Sequence, residues 1–262
     1  MNKFLQISIW ITVIAGIIVL LSFVNRSQQE LIFTKPVIKI DYETENRFVD
    51  EEDILQQVLH KNDTGQLLLN RFDVSKLEQK LNNNHSIKNA QVYKTIDGKL
   101  VVNVKQRRPI VRIFSNNESY YIDEDGNLMP LSTKYTARLL VVSGELKEPY
   151  GKRYQFNYEH LNDSLIDKTL LDDIYKISKY IDQSEFFKAQ IEQIYVNKVS
   201  DFELIPKVGN HKIVFGGVDN LDSKFEKLMI FYKKGLSKTG WNEYSAINLK
   251  YKNQVVCTKR YN

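Results

Sequence analysis

The sequence predicts an α+β protein with three parts. These are a single N-terminal transmembrane helix, a compact strand–helix–helix–strand–strand domain, and a larger mixed β-sheet domain with two flanking helices. Three observations lead to this prediction. An uncharged apolar run stands at the N-terminus, and stretches with period-two alternation or helical periodicity follow it. The composition, with 42% hydrophobic and 26% charged residues, is that of a globular protein.

The apolar run covers residues 4–24 and contains no charged side chain. As a helix it would extend about 31 Å, which is enough for the ~30 Å hydrocarbon core of a bilayer. A cleaved secretory signal is the alternative, but its apolar core usually has about 7–15 residues, and no A-x-A-like cleavage site follows here. We therefore expect an uncleaved anchor between a stub, residues 1–3, and a linker, residues 25–35. Basic residues flank the run almost evenly, so charge alone leaves its orientation open.

Residues 36–106 predict a three-stranded sheet under two helices. Val37 to Tyr42 alternate apolar and polar residues, as a half-buried strand does. The first helix is expected after Asp50, a suitable N-cap, and the second opens at Asp73. Asp97-Gly98 is a two-residue hairpin signal, so the strands on its two sides are expected to pair.

Residues 107–262 predict the larger mixed sheet domain. One amphipathic helix is expected over residues 163–184, and another after Asn220, with Gly235 and Gly240 bracketing its exit. A hairpin with the acidic tip Asp123-Glu124-Asp125 is expected as well. Strands are predicted at residues 110–114, 120–122, 128–131, 138–143, 191–197, 202–206, 211–215, 245–251 and 253–258.

No motif of the chain supports catalysis or metal binding. The single cysteine, Cys257, excludes an intrachain disulfide and a cysteine-rich zinc site, and we expect it to be a structural thiol. The four histidines are scattered without ligand spacing, and the acidic tip lacks the later glutamate of a calcium loop. No serine stands in a G-x-S-x-G context. We predict no catalytic residue, no metal, no cofactor and no enzyme activity.

The net charge of +5 is concentrated near the C-terminus. Between Ser223 and Asn262 nine side chains are basic and two are acidic. A solvated helix face, an acidic protein partner, anionic lipid and nucleic acid would each explain this cluster. The last predicted strand, residues 253–258, is a candidate sheet edge. Such an edge can accept a strand from another chain, unless it is internal or blunted by its own lysines.

Four stretches of the sequence carry a resemblance to a known family: VIKIDYETENRFVDEEDIL, NHSIKNAQVYKTIDGKLVVNVKQRRPIVRI, SYYIDEDGNLMP and SAINLKYKNQVVCTKR. Together with the layout of the chain, they resemble the bacterial cell-division family FtsQ, called DivIB in other lineages. Residues 36–106 look like a POTRA domain. The segment Gln106-Arg107-Arg108-Pro109 stands where the family has a Glu-Arg-x-Pro-like segment, so that Gln106 replaces an acid.

The resemblance implies a non-enzymatic divisome scaffold in the cell inner membrane, at the division septum. It implies a single pass with a cytoplasmic N-terminus and a periplasmic C-terminal body. The implied partners are the small coiled-coil proteins FtsB and FtsL, bound by strand addition at the closing strand, and other divisome components, bound through the POTRA domain.

The resemblance also implies the contact residues. Lys250 would pair with a partner carboxylate, Tyr251 would pack, and residues 253–258 would supply backbone hydrogen bonds. Lys259 stands where some members of the family have an aromatic residue. The full set of expected partner-binding residues is Lys250, Tyr251, Asn253, Gln254, Val255, Val256, Cys257, Thr258 and Lys259.

Other functions stay open at this point. A POTRA-containing outer-membrane assembly or secretion component would share the first domain, although such proteins usually carry tandem units or a barrel. A membrane-tethered cell-wall enzyme would need a convergent acid, base or nucleophile set, which the sequence does not offer. Nucleic-acid binding would rest on the basic tail alone, and we expect no such partner.

Overall fold

The structure is a computed structural model that describes residues 8–20, 32–33, 35–59, 67–68, 72–115, 118–147 and 169–260. The chain divides into two compact units, Met1–Gln106 and Arg107–Asn262. The expected stub at residues 1–3 and most of the expected linker lie outside the described residues.

The N-terminal helix, α1, covers residues 8–20 and exposes its side chains. Among the helices that the structure describes, none is both long enough and apolar enough to pass through a membrane. The expected span, residues 4–24, continues on both sides of α1 into residues outside the described ranges.

The first unit contains a three-stranded sheet in the order β2-β5-β4. Strand β2 runs parallel to β5, and β4 runs antiparallel to it. A separate two-residue ladder joins β1 and β3. The elements are β1 (Ile32–Phe33), β2 (Val37–Asp41), α2 (Glu51–Val58), β3 (Leu67–Leu68), α3 (Val74–Asn82), β4 (Ile87–Lys94) and β5 (Leu100–Gln106).

Helices α2 and α3 of this unit begin at the caps that the sequence predicts. The Asp50 carboxylate accepts a hydrogen bond from Asp53 N at 2.8 Å, and Asp53 accepts one from Asp50 N at 3.1 Å. This capping box satisfies backbone donors that the first turn of α2 would otherwise leave unpaired. Asp73 accepts from Lys76 N at 3.2 Å and starts α3 in the same way. The helices then bury their apolar faces, including Ile54, against the sheet.

The second unit is built on a sheet that has nine strands among the described residues, in the order β14-β13-β12-β11-β10-β9-β6-β7-β8. Strands β6, β9 and β10 are mutually parallel, as are β12 and β13, and the other neighbours are antiparallel. The strands are β6 (Pro109–Ser115), β7 (Glu118–Asp123), β8 (Leu128–Met129), β9 (Leu140–Gly144), β10 (Ile191–Val196), β11 (Phe202–Pro206), β12 (Lys212–Gly216), β13 (Tyr244–Asn248) and β14 (Val256–Lys259).

Helical segments pack on this sheet and close its core. They are α4 (Leu170–Gln183), α5 (Glu185–Gln190), α6 (Leu221–Ile230), a π-helical turn (Phe231–Leu236) and α7 (Ser237–Thr239). Phe225 of α6 is fully buried, stacks on Tyr180 of α4 at 4.2 Å between ring centroids, and also contacts Phe215 of β12. The α+β class predicted from the sequence is therefore confirmed.

Several boundaries differ from the prediction. The sequence predicts the closing strand over residues 253–258, but β14 starts later because Asn253 adopts a left-handed turn with a φ of 60°. Gly235 does not end the last helix. It lies inside the π-helical turn, and the helical path continues to Gly240, where a φ of 96° stops it. Helix α5 is absent from the prediction, since only Phe187 of its six residues is buried.

Candidate protein-binding edge

Strand β14 is the last strand at one end of the nine-stranded sheet. It pairs antiparallel with β13, with Ala246 opposite Thr258 and Ile247 opposite Cys257. No strand within the described part of the chain pairs with its other side. The strand therefore leaves one row of main-chain groups available for a further strand.

The hydrogen bonds to β13 show which main-chain groups face outwards. Arg260 N donates to Glu243 O at 2.9 Å, and Thr258 O accepts from Ser245 Oγ at 3.3 Å, so both groups face β13. In a strand, the main-chain groups of consecutive residues point to opposite sides. Cys257 and Lys259 consequently present their N–H and C=O groups to the open side of the sheet.

The side chains of this edge alternate between the core and the solvent. Val255 and Cys257 are partly buried and pack against the core of the second unit, whereas Val256 and Thr258 are exposed. Burial raises the pKa of the Cys257 thiol, which favours the neutral form. A strand added here would find an apolar side next to Cys257 and a solvated side next to Thr258.

The turn that precedes β14 carries the remaining expected contact residues. Tyr251 is 49% exposed, and Asn253 and Gln254 are exposed as well. Lys227 of α6 holds the turn, because its Nζ donates to Leu249 O at 3.0 Å and to Tyr251 O at 2.7 Å. No local pattern of the sequence indicates this role of Lys227, because Tyr251 lies 24 residues away along the chain.

Lys250 already has an anionic partner within the chain. Its Nζ lies 2.6 Å from Asp201 Oδ2, in the connection between β10 and β11. The hydrogen bond to Asp201 raises the pKa of Lys250. A carboxylate of a partner protein would therefore have to compete with Asp201 for this ammonium group.

The basic C-terminal cluster has two kinds of members. Lys224 is only 4% exposed and donates to Gly217 O at 2.8 Å and to Asp219 Oδ1 at 3.1 Å. The hydrogen bond from Lys224 lowers the pKa of Asp219. Lys224 and Lys227 thus stabilise the fold. The other seven basic side chains of the cluster are exposed: Lys233, Lys234, Lys238, Lys250, Lys252, Lys259 and Arg260.

The acidic hairpin tip binds arginines of its own unit. Asp123 is 1% exposed and accepts from Arg107 Nη1 at 2.7 Å, while Glu124 accepts from Arg108 Nε at 2.9 Å. Asp123 also accepts from Asn127 N at 2.7 Å and so fixes the turn. Across the described ranges, no group of three or more potential metal ligands comes together.

Comparison with known families identifies both units. A family model described as FtsQ/DivIB, C-terminal related, matches residues 108–258, which is more than half of the chain. A second model, described as a POTRA-like domain, matches residues 34–105. No curated protein matches the chain at a significant level.

Proposed function

The chain belongs to the FtsQ/DivIB C-terminal related family, and on this premise we propose that it serves bacterial cell division as a scaffold that binds other proteins. The POTRA-like domain of the first unit agrees with this role. Proteins of the FtsQ/DivIB family are generally non-enzymatic, so the proposed function contains no catalytic step and rests on binding surfaces alone.

We propose that the partners are small coiled-coil division proteins of the FtsB and FtsL kind, and that they add a strand to β14. The observation that supports this most directly is the position of β14 at the end of its sheet, with the main-chain groups of Cys257 and Lys259 directed to the open side. Main-chain hydrogen bonds would supply affinity, and alternating side chains would supply specificity.

The charges around β14 favour an acidic partner. Lys252 and Lys259 are exposed on the hairpin, and Lys234 and Lys238 are exposed on the helical segment before it. Positive potential of this kind attracts and orients an acidic chain before the strand pairs. Lys250 would join this set after exchanging Asp201 for a partner carboxylate.

We further propose that the chain works at the division septum, anchored by residues 4–24. The uncharged run of the sequence supports an anchor, and family membership supports a cytoplasmic N-terminus with the C-terminal body in the periplasm. Placed there, the POTRA-like unit would contact other divisome components while β14 holds the FtsB-like and FtsL-like pair.

The strand-addition proposal predicts that Lys259→Pro abolishes binding of the partner pair, whereas Lys259→Ala largely preserves it. Proline removes the outward N–H of residue 259 and leaves the hydrogen bonds of β14 to β13 in place. Alanine removes the charge but keeps the N–H. The measurement is co-purification of the FtsB-like and FtsL-like proteins with the full-length chain from membranes.

The preceding residue, Thr258, lies in a strand, which is the conformation that proline demands of its neighbour. Lys259→Pro is therefore expected to fold, and circular dichroism of both variants provides the control. If the folded proline variant retains the partner pair at the wild-type level, strand addition at β14 is wrong.

A further inference from the structure

The second unit contains a cleft of about 550 Å³ at the amino ends of β9 and β10. This volume falls within the ~300–1,000 Å³ range of small-molecule sites. Its apolar lining includes Ile110 of β6, Leu140 of β9, Ile181 of α4 and Ile191 of β10. The cleft thus offers an apolar surface to a ligand, and strands β11, β12 and β13 separate β10 from the β14 edge.

Arg112 is held rigidly in the wall of this cleft. Its guanidinium carbon lies 4.7 Å from the ring centre of Phe114 and 5.8 Å from that of Tyr121, and its Nε donates to Ser119 Oγ at 3.1 Å. No carboxylate within the described residues forms an ion pair with it. The two terminal nitrogens of Arg112 are therefore prepositioned as a fork for an anion, at little further cost in side-chain entropy.

Three more cations line the cleft. Arg138 is exposed and, like Arg112, forms no ion pair with a described carboxylate. Lys207 is anchored at the rim, because its Nζ donates to Lys188 O at 3.1 Å. Lys188 donates to Asp182 Oδ1 at 2.9 Å. The positive potential of the cleft consequently comes from basic residues on several separate segments of the chain.

The acidic residues of the cleft do not cancel this potential. Asp182 is held by Arg108, whose Nη1 and Nη2 donate to its two oxygens at 3.2 and 2.8 Å, and by Lys188. Burial alone would raise the pKa of Asp182, but these hydrogen bonds outweigh burial and lower it. Asp182 is thus an ionised carboxylate whose charge is balanced by Arg108 and Lys188. Glu192, which is exposed, is the other acidic group in the described lining.

One buried hydroxyl also borders the cleft without a partner. Ser178 of α4 is fully buried, and its Oγ makes no hydrogen bond to any described residue. Buried polar groups in proteins are normally paired, since an unmade hydrogen bond costs about 1–3 kcal/mol. The lining of the cleft therefore includes a hydroxyl donor that no described group uses.

We propose that this cleft binds a small molecule that carries one carboxylate or phosphate group and an apolar body. The anionic group would receive the fork of Arg112, which matches the geometry of both anions, with Arg138 and Lys207 adding positive potential. The apolar body would lie on Ile110, Leu140 and Ile191. This site is independent of the β14 edge, so it stands or falls separately from the proposed scaffold function.

Calorimetric titration of the full-length chain in detergent micelles tests the proposal. The probes are N-acetyl-leucine for the carboxylate and phenyl phosphate for the phosphate. Their neutral counterparts are N-acetyl-leucinamide, which has the same shape as its acid, and phenol, which keeps the apolar ring and lacks the phosphate. We expect saturable binding of at least one anion, and binding of its neutral counterpart at least tenfold weaker. The anion that binds more tightly then shows whether the ligand of the cleft carries a carboxylate or a phosphate.

Variants connect the binding to the cleft. Arg112→Gln is expected to weaken the anion at least tenfold, and Arg112→Lys is expected to give an intermediate loss, because lysine keeps the charge but lacks the fork. Arg47→Gln, the same change at an exposed arginine of the first unit, should have no effect. Thermal melting checks that each variant is folded.

Two results would overturn the proposal. One is that neither anion shows saturable binding at concentrations up to about 10 mM, so that its affinity is weaker than millimolar. The other is binding that Arg112→Gln leaves unchanged, or that Arg47→Gln weakens equally. Either result would leave the cleft without a role in anion binding.

Discussion

Gln106 is a buried side chain whose amide joins the end of β5 to the segment before α2. Its Oε1 accepts from Phe48 N at 2.7 Å and from Val49 N at 3.2 Å, and its Nε2 donates to Asn46 O at 3.0 Å. The resemblance places an acidic residue at this position. A neutral amide is well suited to it, since a carboxylate could accept the two N–H groups but could not donate to Asn46 O.

Gln106→Ala is therefore expected to lower the free energy of unfolding by about 2–4 kcal/mol, because two buried hydrogen bonds and one partly buried one are lost together. Gln91→Ala, which removes the same side chain from an exposed position of β4, should change it by less than about 0.5 kcal/mol. Chemical denaturation of both variants provides the measurement. An equal loss of unfolding free energy in the two variants would contradict the structural role of Gln106.

Asp201→Asn is expected to strengthen binding of the FtsB-like and FtsL-like pair by up to about fivefold. The change releases Lys250 from its 2.6 Å ion pair, and the gain stays modest because solvent screens an exposed ion pair of this kind. The matched control is Glu203→Gln, which removes an acid that pairs with Lys212 on the same sheet. Titration of the full-length chain against the pair measures the effect.

A wild-type affinity for Asp201→Asn would mean that Lys250 plays no part in the contact. An equal gain in Glu203→Gln would instead assign the effect to overall charge. The variant and its control together separate a specific exchange of partners from long-range attraction.

At the scale of single residues, the sequence best predicts the roles of residues that contact their near neighbours along the chain. Asp50 and Asp73 are caps because of the few residues that follow them, and the structure confirms both. Lys227, Asp201 and Gln106 act on residues more than twenty positions away along the chain, so no local pattern indicates their partners. Whether the residues of the β14 edge bind a partner stays a prediction.

At the scale of elements, the periodicity of the sequence predicts that a helix or strand exists better than it predicts where that element begins and ends. The hairpin at Asp97-Gly98 and the strands on its two sides form as expected, and α4 lies within the helix predicted over residues 163–184. The sequence does not predict the order of the nine strands in the sheet. Neighbours such as β6 and β9 are parallel and joined by long connections, which the alternation of a single strand cannot encode.

His211 ties β12 to the π-helical turn. It is 3% exposed, and its Nε2 lies 3.0 Å from the hydroxyl of Tyr232, with Trp241 packed beside both rings. Burial lowers the pKa of His211, and the positive charge of Arg260 acts in the same direction. The folded protein therefore prefers the neutral imidazole.

This preference predicts that the second unit loses stability as the pH falls below about 6.5, the ordinary pKa of histidine. In the window between the folded and unfolded pKa values the unfolded chain binds more protons, so unfolding becomes easier as acid is added. The slope from one group is at most about 1.4 kcal/mol per pH unit.

His211→Gln keeps a hydrogen-bonding group near Tyr232 but cannot titrate, so it should lose this component of the pH dependence. His85→Gln, at an exposed position of the first unit, should retain it. Denaturation between pH 7.5 and 5.5 measures both. A wild-type slope in His211→Gln would assign the acid sensitivity to another group.

At the scale of the whole molecule, each unit has a hydrophobic core of its own. The core of the first unit includes Ile54, Leu81 and Val102, and that of the second includes Ile113, Ile213 and Phe225. Each family model likewise falls within one unit. A chain with two such cores has the means to fold as two cooperative units.

Ile54→Ala is accordingly expected to destabilise the first unit alone. Removing a fully buried isoleucine costs about 2–5 kcal/mol, which in a domain of this size lowers the melting temperature by about 10 °C or more. Calorimetry of the full-length chain should show one transition displaced and the other unchanged. Ile213→Ala, an equally buried isoleucine of the second unit, should displace the other transition. If either change displaces both transitions together, the two units unfold as one, and the division predicted between residues 106 and 107 does not describe how the protein folds.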